Sequence, residues 1–241
     1  MESSGYVALS AQLAINKRLS TVANNVANAG TVGYRAAGVV FNALTSPTES
    51  FETVFASIGK GSVNLASGGL KQTGNALDLA IKGDMFLGYL GTSGTYYSRD
   101  GRLTMLDSGE LINPLGHPLL DGSGSPIAVK PDGGPLTIQA NGTIIQGGAP
   151  VGQIGLFNLD LGGGFERAGS AGIVPKQAPE TADPAAGGGA IVQGYIEESN
   201  VDPVSEMVRL IQVTRAFEAA STLSGKIFDA ESEAIKTLGS R

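Results

Sequence analysis

The amino-acid sequence predicts an α+β fold: long N- and C-terminal helices packed as an antiparallel coiled-coil-like pair, a central small antiparallel β domain, and extended irregular connectors. Two observations lead to this prediction. Apolar residues recur at steps of three or four near both ends of the chain, as they do along one face of a helix. Most of the 36 glycines and 11 prolines lie between residues 59 and 194, at the spacing of turns between short strands.

The N-terminal helix is predicted for residues 3–28, which contain no proline and no glycine after Gly5. Gly30 and Gly33 follow this segment, and glycine commonly stands just beyond the end of a helix. The apolar stripe is narrow, like the seam of a coiled coil, and consists of Ala8, Ala11, Ile15, Leu19, Val22 and Val26.

The C-terminal helix is predicted to begin near residue 203. Asp202 is suited to cap it, and Pro203 is suited to its first turn. Its seam continues without a break in steps of three and four through Leu210, Val213, Phe217, Ala220, Ser224, Ile227, Glu231, Ala234 and Leu238. Ser224 and Glu231 make this seam imperfect.

A β-rich module is predicted between the helices. Leu77, Leu79 and Ile81 alternate with Asp78, Ala80 and Lys82, as expected of a half-buried strand. Further strand candidates are residues 85–90, 95–98, 102–106, 110–112, 127–129, 136–139, 143–146 and 153–159. The predicted turns between them are Ser93-Gly94, Asp100-Gly101, Ser108-Gly109 and Asn141-Gly142.

These elements predict five consecutive segments. Residues 1–35 form the N-terminal helix of an inner helical domain, and residues 36–75 an extended connector. Residues 76–168 form the β-rich domain, and residues 169–200 a second extended connector rich in glycine and proline. Residues 201–241 form the C-terminal helix of the inner helical domain.

Composition and charge exclude several classes of protein. The chain has no cysteine, so disulfides and cysteine-ligated metals are excluded. The net charge is -6 and no basic cluster resembles a nucleic-acid site. The most apolar run, residues 77–90, contains Asp78, Lys82 and Asp84, so no membrane span is expected. Charged residues make up only 16% of the chain, which indicates that some surface is covered in an assembly.

Candidate catalytic groups are few, and each has a structural interpretation that we prefer. Asp78, Asp84, Asp100 and Asp107 could supply two carboxylates for glycoside hydrolysis, but three of them adjoin glycine or serine, as turn residues do. His117 is the single histidine and lies in a predicted turn, so no zinc site is expected. We therefore expect no catalytic residue, no metal and no cofactor.

Three motifs resemble signatures of the flagellar axial proteins, the family of rod and hook subunits. Residues 23–35 (Ala-Asn-Asn-Val-Ala-Asn-Ala-Gly-Thr-Val-Gly-Tyr-Arg) are similar to its N-terminal signature. Residues 77–84 (Leu-Asp-Leu-Ala-Ile-Lys-Gly-Asp), followed by residues 97–101 (Tyr-Ser-Arg-Asp-Gly), are similar to its core β signature. Residues 197–207 (Glu-Glu-Ser-Asn-Val-Asp-Pro-Val-Ser-Glu-Met) and 215–218 (Arg-Ala-Phe-Glu) are similar to its C-terminal signature.

The resemblance implies a non-enzymatic subunit of the basal-body rod, most similar to proximal rod subunits, that polymerises through its terminal helices into the helical drive shaft transmitting torque. It implies a periplasmic rod location and export by the flagellar type III apparatus without a cleaved signal peptide. The implied partners are copies of itself and other rod proteins, with no nucleic acid, small-molecule substrate or membrane span. The alternatives are a distal rod or hook-type subunit, or a cell-wall hydrolase that accompanies the flagellum.

The helical stripes and the asparagine-rich helix end predict the surfaces through which copies meet. An isolated helical hairpin would be the simpler interpretation of the stripes, but helices this long and this thinly striped favour packing between molecules. The predicted subunit-interface residues are Leu9, Leu13, Ile15, Leu19, Val22, Asn25, Val26, Asn28, Leu210, Val213, Phe217, Ile227 and Leu238.

Overall fold

The structure is a computed structural model that describes residues 2–47, 52–184 and 189–239. The chain divides into two compact units. The helical unit holds the described residues of Met1–Ala27, Ala37–Ser62 and Asp202–Arg241. The β unit holds those of Asn28–Ala36 and Val63–Val201. Each unit therefore combines segments that are far apart in the sequence.

Two long helices and a two-stranded ribbon build the helical unit. Helix α1 spans Glu2–Ala27 and helix α2 spans Pro203–Gly239. Gly5 lies beside the ring of Phe228, and the Asn25 amide lies 3.3 Å from the Glu206 carboxylate. The start of α1 thus lies near the later part of α2, and the helices run antiparallel. Within the described residues, neither helix has a stretch apolar enough to cross a membrane.

The start of α2 follows the predicted capping chemistry. The Asp202 carboxylate accepts hydrogen bonds from the Val204 amide at 3.1 Å and the Ser205 hydroxyl at 2.5 Å. These bonds lower the pKa of the Asp202 carboxyl, first through Ser205 and then through Val204. Helix α2 begins at Pro203, which has no N–H that would need a partner in the first turn. The predicted helix start is therefore confirmed.

The strands are short, and all the pairings described for the β unit are antiparallel. In chain order they are β1 Ala37–Pro47, β2 Glu52–Val63, β3 Leu70–Gln72, β4 Asp78–Lys82, β5 Phe86–Gly91, β6 Gly94–Ser98, β7 Gly101–Arg102, β8 Thr104–Met105, β9 Leu111–Ile112, β10 Leu136–Ile138, β11 Thr143–Gln146, β12 Ala149–Gln153, β13 Leu156–Asn158, β14 Phe165–Ala168, β15 Gly172–Pro175, β16 Glu180–Thr181, β17 Ala190–Gln193 and β18 Tyr195–Glu197.

Most of these strands form small sheets around a common core in the β unit. The largest sheet has six strands in the order β14-β15-β6-β5-β13-β16, and β17-β4-β7 and β10-β11-β12 form three-stranded sheets. The pairs β18-β3 and β8-β9 complete the unit, while β1-β2 is the ribbon of the helical unit. The core beneath the sheets includes Leu79, Leu87, Tyr89, Leu111 and Ile144, all fully buried.

The predicted fold class is wrong. The described chain is mostly β, with many antiparallel strands in several sheets, and it is not a helical coiled coil with a small β domain. The stretches predicted to be irregular connectors contain strands, and several of these have hydrogen-bonding partners far away in the sequence. Leu70 in β3 pairs with Glu197 in β18, and Leu79 in β4 pairs with Gln193 in β17. Such pairings leave no periodic signal within a short window of sequence.

The alternation predicted for residues 77–82 is also wrong as a sign of half-burial. Leu79, Ala80 and Ile81 are all buried, because β4 lies between β17 and β7 in the middle of its sheet. Two of the turns predicted from glycine-containing dipeptides are confirmed. Gly94 and Gly142 have the positive φ angles that the predicted turns require, and they close the β5-β6 and β10-β11 hairpins.

Gly33 is expected to be a position where only glycine fits. Its φ is +69°, and a Cβ there would lie 2.3 Å from the Asp100 amide nitrogen. Gly33→Ala should lower the free energy of unfolding of the β unit by roughly 2–4 kcal/mol. This loss is the sum of the strain of an alanine in the left-handed backbone region and the overpacking of its Cβ. Denaturation followed by circular dichroism measures this change.

Gly30→Ala is the matched control, since a Cβ at Gly30 meets nothing within 4 Å. Equal stability of the two variants would contradict the close approach between Gly33 and Asp100.

Candidate assembly interface

Helix α1 carries an apolar stripe that its own unit leaves exposed. Tyr6, Leu9 and Leu13 are 65%, 44% and 53% exposed, and they follow one another at steps of three and four. Residues at this spacing lie on the same face of a helix. Large apolar side chains aligned in this way in contact with water are typical of surfaces through which proteins interact.

Helix α2 has a corresponding exposed stripe near its start. Val204, Met207, Val208 and Ile211 are each about half exposed or more, and their spacing again repeats with the helical turn. Leu223 and Phe228 add exposed apolar side chains further along the helix. Together with Tyr6, Leu9 and Leu13, these six residues are called here the exposed stripes.

The predicted interface residues differ in their exposure. Leu9 and Leu13 are exposed, whereas Val22, Asn25 and Val213 are buried. Leu238 falls outside the residues whose side chains are described. The remaining members are partly buried, and they are Ile15, Leu19, Val26, Asn28, Leu210, Phe217 and Ile227.

The sequence prediction selected the seam of each helix and missed most of the exposed stripes. Every seam residue of α1, and every described seam side chain of α2 from Leu210 to Ile227, is buried or partly buried. Ser224, which made the α2 seam imperfect, is 6% exposed, so a small side chain occupies this buried position. A second apolar period, displaced from the seam, was the signal that could have identified Tyr6, Met207 and Ile211.

Asn25 joins three parts of the helical unit. Its side-chain oxygen accepts the Ala37 N–H at 2.8 Å, and its amide donates to the Ala37 carbonyl at 2.9 Å and to Glu206 at 3.3 Å. Glu206 also pairs with Arg209 at 2.5 Å. The asparagine thereby ties the end of α1 to the first residue of β1 and to the start of α2, beneath the surface of the unit.

A buried charge cluster lies within the β unit. The Glu197 carboxylate lies 2.7 Å from Nη2 of Arg35 and 3.2 Å from Nη1 of Arg99, and all three side chains are almost fully buried. The Gly68 N–H donates to the same carboxylate at 2.9 Å. Charge-assisted bonds of this kind are about twice as strong as neutral ones. One carboxylate thus holds two guanidinium groups from distant parts of the chain.

Backbone oxygens also bind both arginines. Arg35 donates to the Ala66 carbonyl, and Arg99 donates to the carbonyls of Ile81 and Gly83. The Arg99 guanidinium also lies 5.1 Å from the center of the Phe86 ring, within range of a cation–π interaction. The positions of both arginines are therefore determined by several independent contacts.

Burial dominates the electrostatics of the cluster. It lowers the pKa of Arg99 to about 10, against the opposing effect of the Glu197 charge. Burial likewise lowers the pKa of Arg35, and the charges of Glu197 and, more weakly, Asp84 raise it in part. Arg99 stays protonated at neutral pH, so two cations share one carboxylate and the cluster holds a net positive charge. Removing that carboxylate would leave both cations without their buried counter-charge.

The segments on either side of the cluster are bonded to each other within the β unit. The Gly33 N–H donates to the Glu197 carbonyl at 2.8 Å, and the Ala36 N–H donates to the Asn200 side chain at 2.7 Å. The Asn200 amide in turn donates to the carbonyls of Asn64 and Ala66. Residues 33–36, 64–66 and 197–200 therefore behave as one bonded layer.

Arg167 supports this layer from β14. Its guanidinium lies 5.0 Å from the center of the Tyr34 ring and donates to the Arg35 carbonyl at 2.6 Å. Burial lowers the pKa of Arg167. This contact joins the chain beside Arg35 to the six-stranded sheet.

Two of the four aspartates considered for catalysis have structural partners. Asp100 forms an ion pair with Arg102 at 2.6 Å, and Asp78 accepts a bond from Asn75 at 3.3 Å. His117, predicted to lie in a turn, directly follows the turn at residues 113–116, and its ring nitrogen lies 2.9 Å from the Tyr96 hydroxyl. Within the part of the chain that the structure describes, no cluster of histidine and carboxylate side chains could hold a metal ion.

Three family models match the chain in the order of its motifs. Residues 6–35 match the flagella basal body rod protein family, and residues 80–146 match the D1 domain of flagellar hook proteins FlgE/F/G. Residues 192–224 match the C-terminal family of flagellar basal body rod FlgEFG proteins. Each matched segment contributes one member of the buried cluster, namely Arg35, Arg99 and Glu197.

Relatives align with the chain over nearly its whole length. The flagellar basal-body rod protein FlgF of Mesorhizobium japonicum is 48% identical over 241 residues, covering 100% of both chains. The protein of that name from Rhizobium meliloti is 38% identical over 239 residues, covering 99% of each chain. The flagellar basal-body rod protein FlgG of Bacillus subtilis is 27% identical, with 90% of this chain and 92% of the other covered.

The chain therefore belongs to the family of flagellar basal-body rod proteins. It is a structural subunit of the rod, as the resemblance of its three motifs implied, and three relatives named FlgF each match 99–100% of its length.

Glu197→Gln should destabilise the β unit strongly. The substitution keeps the shape of the side chain but leaves Arg35 and Arg99 without their buried counter-charge, which costs about 3–5 kcal/mol when one partner of a buried pair is removed. Equilibrium urea denaturation measures the loss in the free energy of unfolding.

Glu198→Gln removes the same charge from the adjacent exposed position and serves as the control. It should change stability by less than about 0.5 kcal/mol, as surface substitutions do. Similar losses in both variants would show that the cluster contributes nothing beyond general charge.

Proposed function

We propose that this chain is a proximal rod subunit that polymerises through its terminal helices into the helical drive shaft that transmits torque. The exposed stripes on α1 and α2 are the observation that carries this proposal. The end-to-end similarity to proteins named FlgF supports the proximal position. In this proposal helices α1 and α2 form an inner helical domain, and the β unit contributes the β-rich domain.

Burial of the exposed stripes between copies would stabilise an assembly. Burying a large aliphatic or aromatic side chain is worth about 1.5–3 kcal/mol. Nine such side chains on the two helices are 44–66% exposed in the single chain. Because each copy carries the same surfaces, contacts that do not close on themselves generate an open helical filament. The stiffness of a shaft then comes from many modest contacts summed over its length.

The predicted interface residues take two roles in this proposal. Leu9 and Leu13 meet neighbouring subunits directly, together with the rest of the exposed stripes. The buried and partly buried members, among them Asn25 and Val213, support that surface from beneath. Asn25 acts by fixing α1 to Ala37 and to Glu206, which sets the relative position of the two stripes.

We also propose where the subunit lies, how it is exported and that its role is not chemical. The subunit lies in the periplasmic part of the rod and reaches it through the flagellar type III export apparatus. Its partners are copies of itself and other rod proteins. It is not an enzyme and needs no cofactor, nucleic acid or small-molecule substrate; the ion pair between Asp100 and Arg102 supports a structural role for that carboxylate.

A distal rod position is the second candidate. Proteins named FlgG are 27–30% identical to the chain over 84–90% of its length, which favours a subunit of related design. The axial position of the chain in an image reconstruction of the intact basal body separates the two candidates.

Leu13→Asp and Ile211→Asp should each prevent assembly without unfolding the subunit. Both side chains are more than half exposed, so a charge costs little in the free chain but would be buried against a neighbour. The amount of subunit in purified basal bodies, and swimming speed, should each fall by at least about tenfold, since an interfacial anchor contributes ~2 kcal/mol or more.

Ala23→Asp and Ala216→Asp add the same charge at exposed positions of the same helices that are not three or four residues from a stripe member, and they are the matched controls. Normal incorporation of both stripe variants would refute polymerisation through these surfaces.

A further inference from the structure

The β unit contains a pocket that its described contacts leave open. It has a volume of about 290 Å³ and lies where three loops meet. These are the turn 91–94 between β5 and β6, the turn after Ala168 between β14 and β15, and the loop that carries Leu115 and His117. Val174 of β15 also contributes to the wall.

Hydrogen bonds and ring contacts fix the aromatic floor of this pocket. The Tyr96 hydroxyl accepts a bond from the Asn113 amide at 2.5 Å and lies 2.9 Å from Nδ1 of His117. The Tyr96 ring meets the His117 ring edge to face at 5.5 Å and stacks on Tyr89 at 5.7 Å. A binding group therefore meets a surface that is already ordered, which reduces the entropy lost on binding.

The lining carries no lysine, arginine, aspartate or glutamate, although the β unit as a whole is acidic. That unit contains 13 acidic and 8 basic side chains, a net charge of -5. Leu115, 63% exposed, and Val174 make part of the rim apolar. The cores of protein interfaces are depleted of charge in the same way and receive single apolar anchors in pockets. Two copies with strongly negative β units would also meet with least repulsion at an uncharged site.

The same chain supplies matching anchors on its other unit. Among the described side chains, the aromatic rings exposed to solvent are those of Tyr6, Phe41 and Phe228, and all three belong to the helical unit. The helical unit has only one more acidic than basic side chain, so it is repelled far less by an acidic neighbour. An aromatic ring that enters the pocket would contact Tyr96, and such ring pairs add stability beyond their buried area.

We propose that this pocket receives an exposed aromatic side chain from the helical unit of a second copy of the chain. The contact joins two different surfaces, so it can repeat from copy to copy without closing. It rests on the proposed function, to which it adds a specific site on the β unit. Leu115 is the rim residue and Tyr96 the floor residue of this site.

Photo-crosslinking in flagellated cells tests the proposal. The full-length chain carries p-benzoylphenylalanine at Leu115, with Leu106 as the control, an exposed leucine of the β unit outside the pocket. Irradiation should give a copy-to-copy adduct at Leu115 about tenfold more abundant than at Leu106. Peptide mapping should place the second attachment point near Tyr6, Phe41 or Phe228. Alanine at one of these three positions should remove most of the adduct.

Other outcomes overturn the proposal. They are an adduct confined to a single copy, an adduct with a different protein, or equal adducts at Leu115 and Leu106. Thr92, an exposed residue of the lining, provides a second attachment site should the Leu115 variant fail to fold. The presence of the wild-type chain in purified basal bodies is checked first. Its absence there would refute the proposed function, whereas its presence without the Leu115 adduct would refute only this inference.

Discussion

One buried carboxylate connects the three segments on which the β unit depends. Glu197 pairs with both Arg35 and Arg99. Arg35 comes from the beginning of the unit, Arg99 from its middle and Glu197 from its end. The two arginines then bind carbonyl groups of the loops around Ala66, Ile81 and Gly83. Ion pairs buried this deeply are costly to desolvate and costly to break. The unit is therefore complete only when all three segments are present.

The segments that match family models are scattered along the sequence, yet they meet at this cluster. Each of the three matched segments brings one charged member, and the same segments bring the backbone that surrounds it. Gly33 shows the link most directly: it carries the positive φ of the turn before Arg35, and its N–H binds the Glu197 carbonyl. Segments that are far apart in the sequence therefore pack together in one place in the fold.

The helical unit differs from the β unit, because only part of the apolar surface of its helices is buried within the chain. The seam positions are satisfied by packing inside the unit, and Asn25 fixes the end of α1 to β1 and α2. The exposed stripes remain, and so does the uncharged pocket of the β unit. A monomer that leaves such surfaces in water is suited to assembly, in agreement with the low charged fraction of the chain.

The sequence by itself determined the two terminal helices, the cap at Asp202, the glycine turns of two hairpins and the family, because these depend on neighbouring residues or on local motifs. Only the tertiary structure decided that the chain is mostly β, since strands such as β3 and β18 pair across more than a hundred residues and carry no local period. It also decided which apolar residues the helical unit covers and which it exposes. Arg35, Arg99 and Glu197 stood within the recognised motifs, but their meeting follows from folding, because charge attraction depends on distance in space.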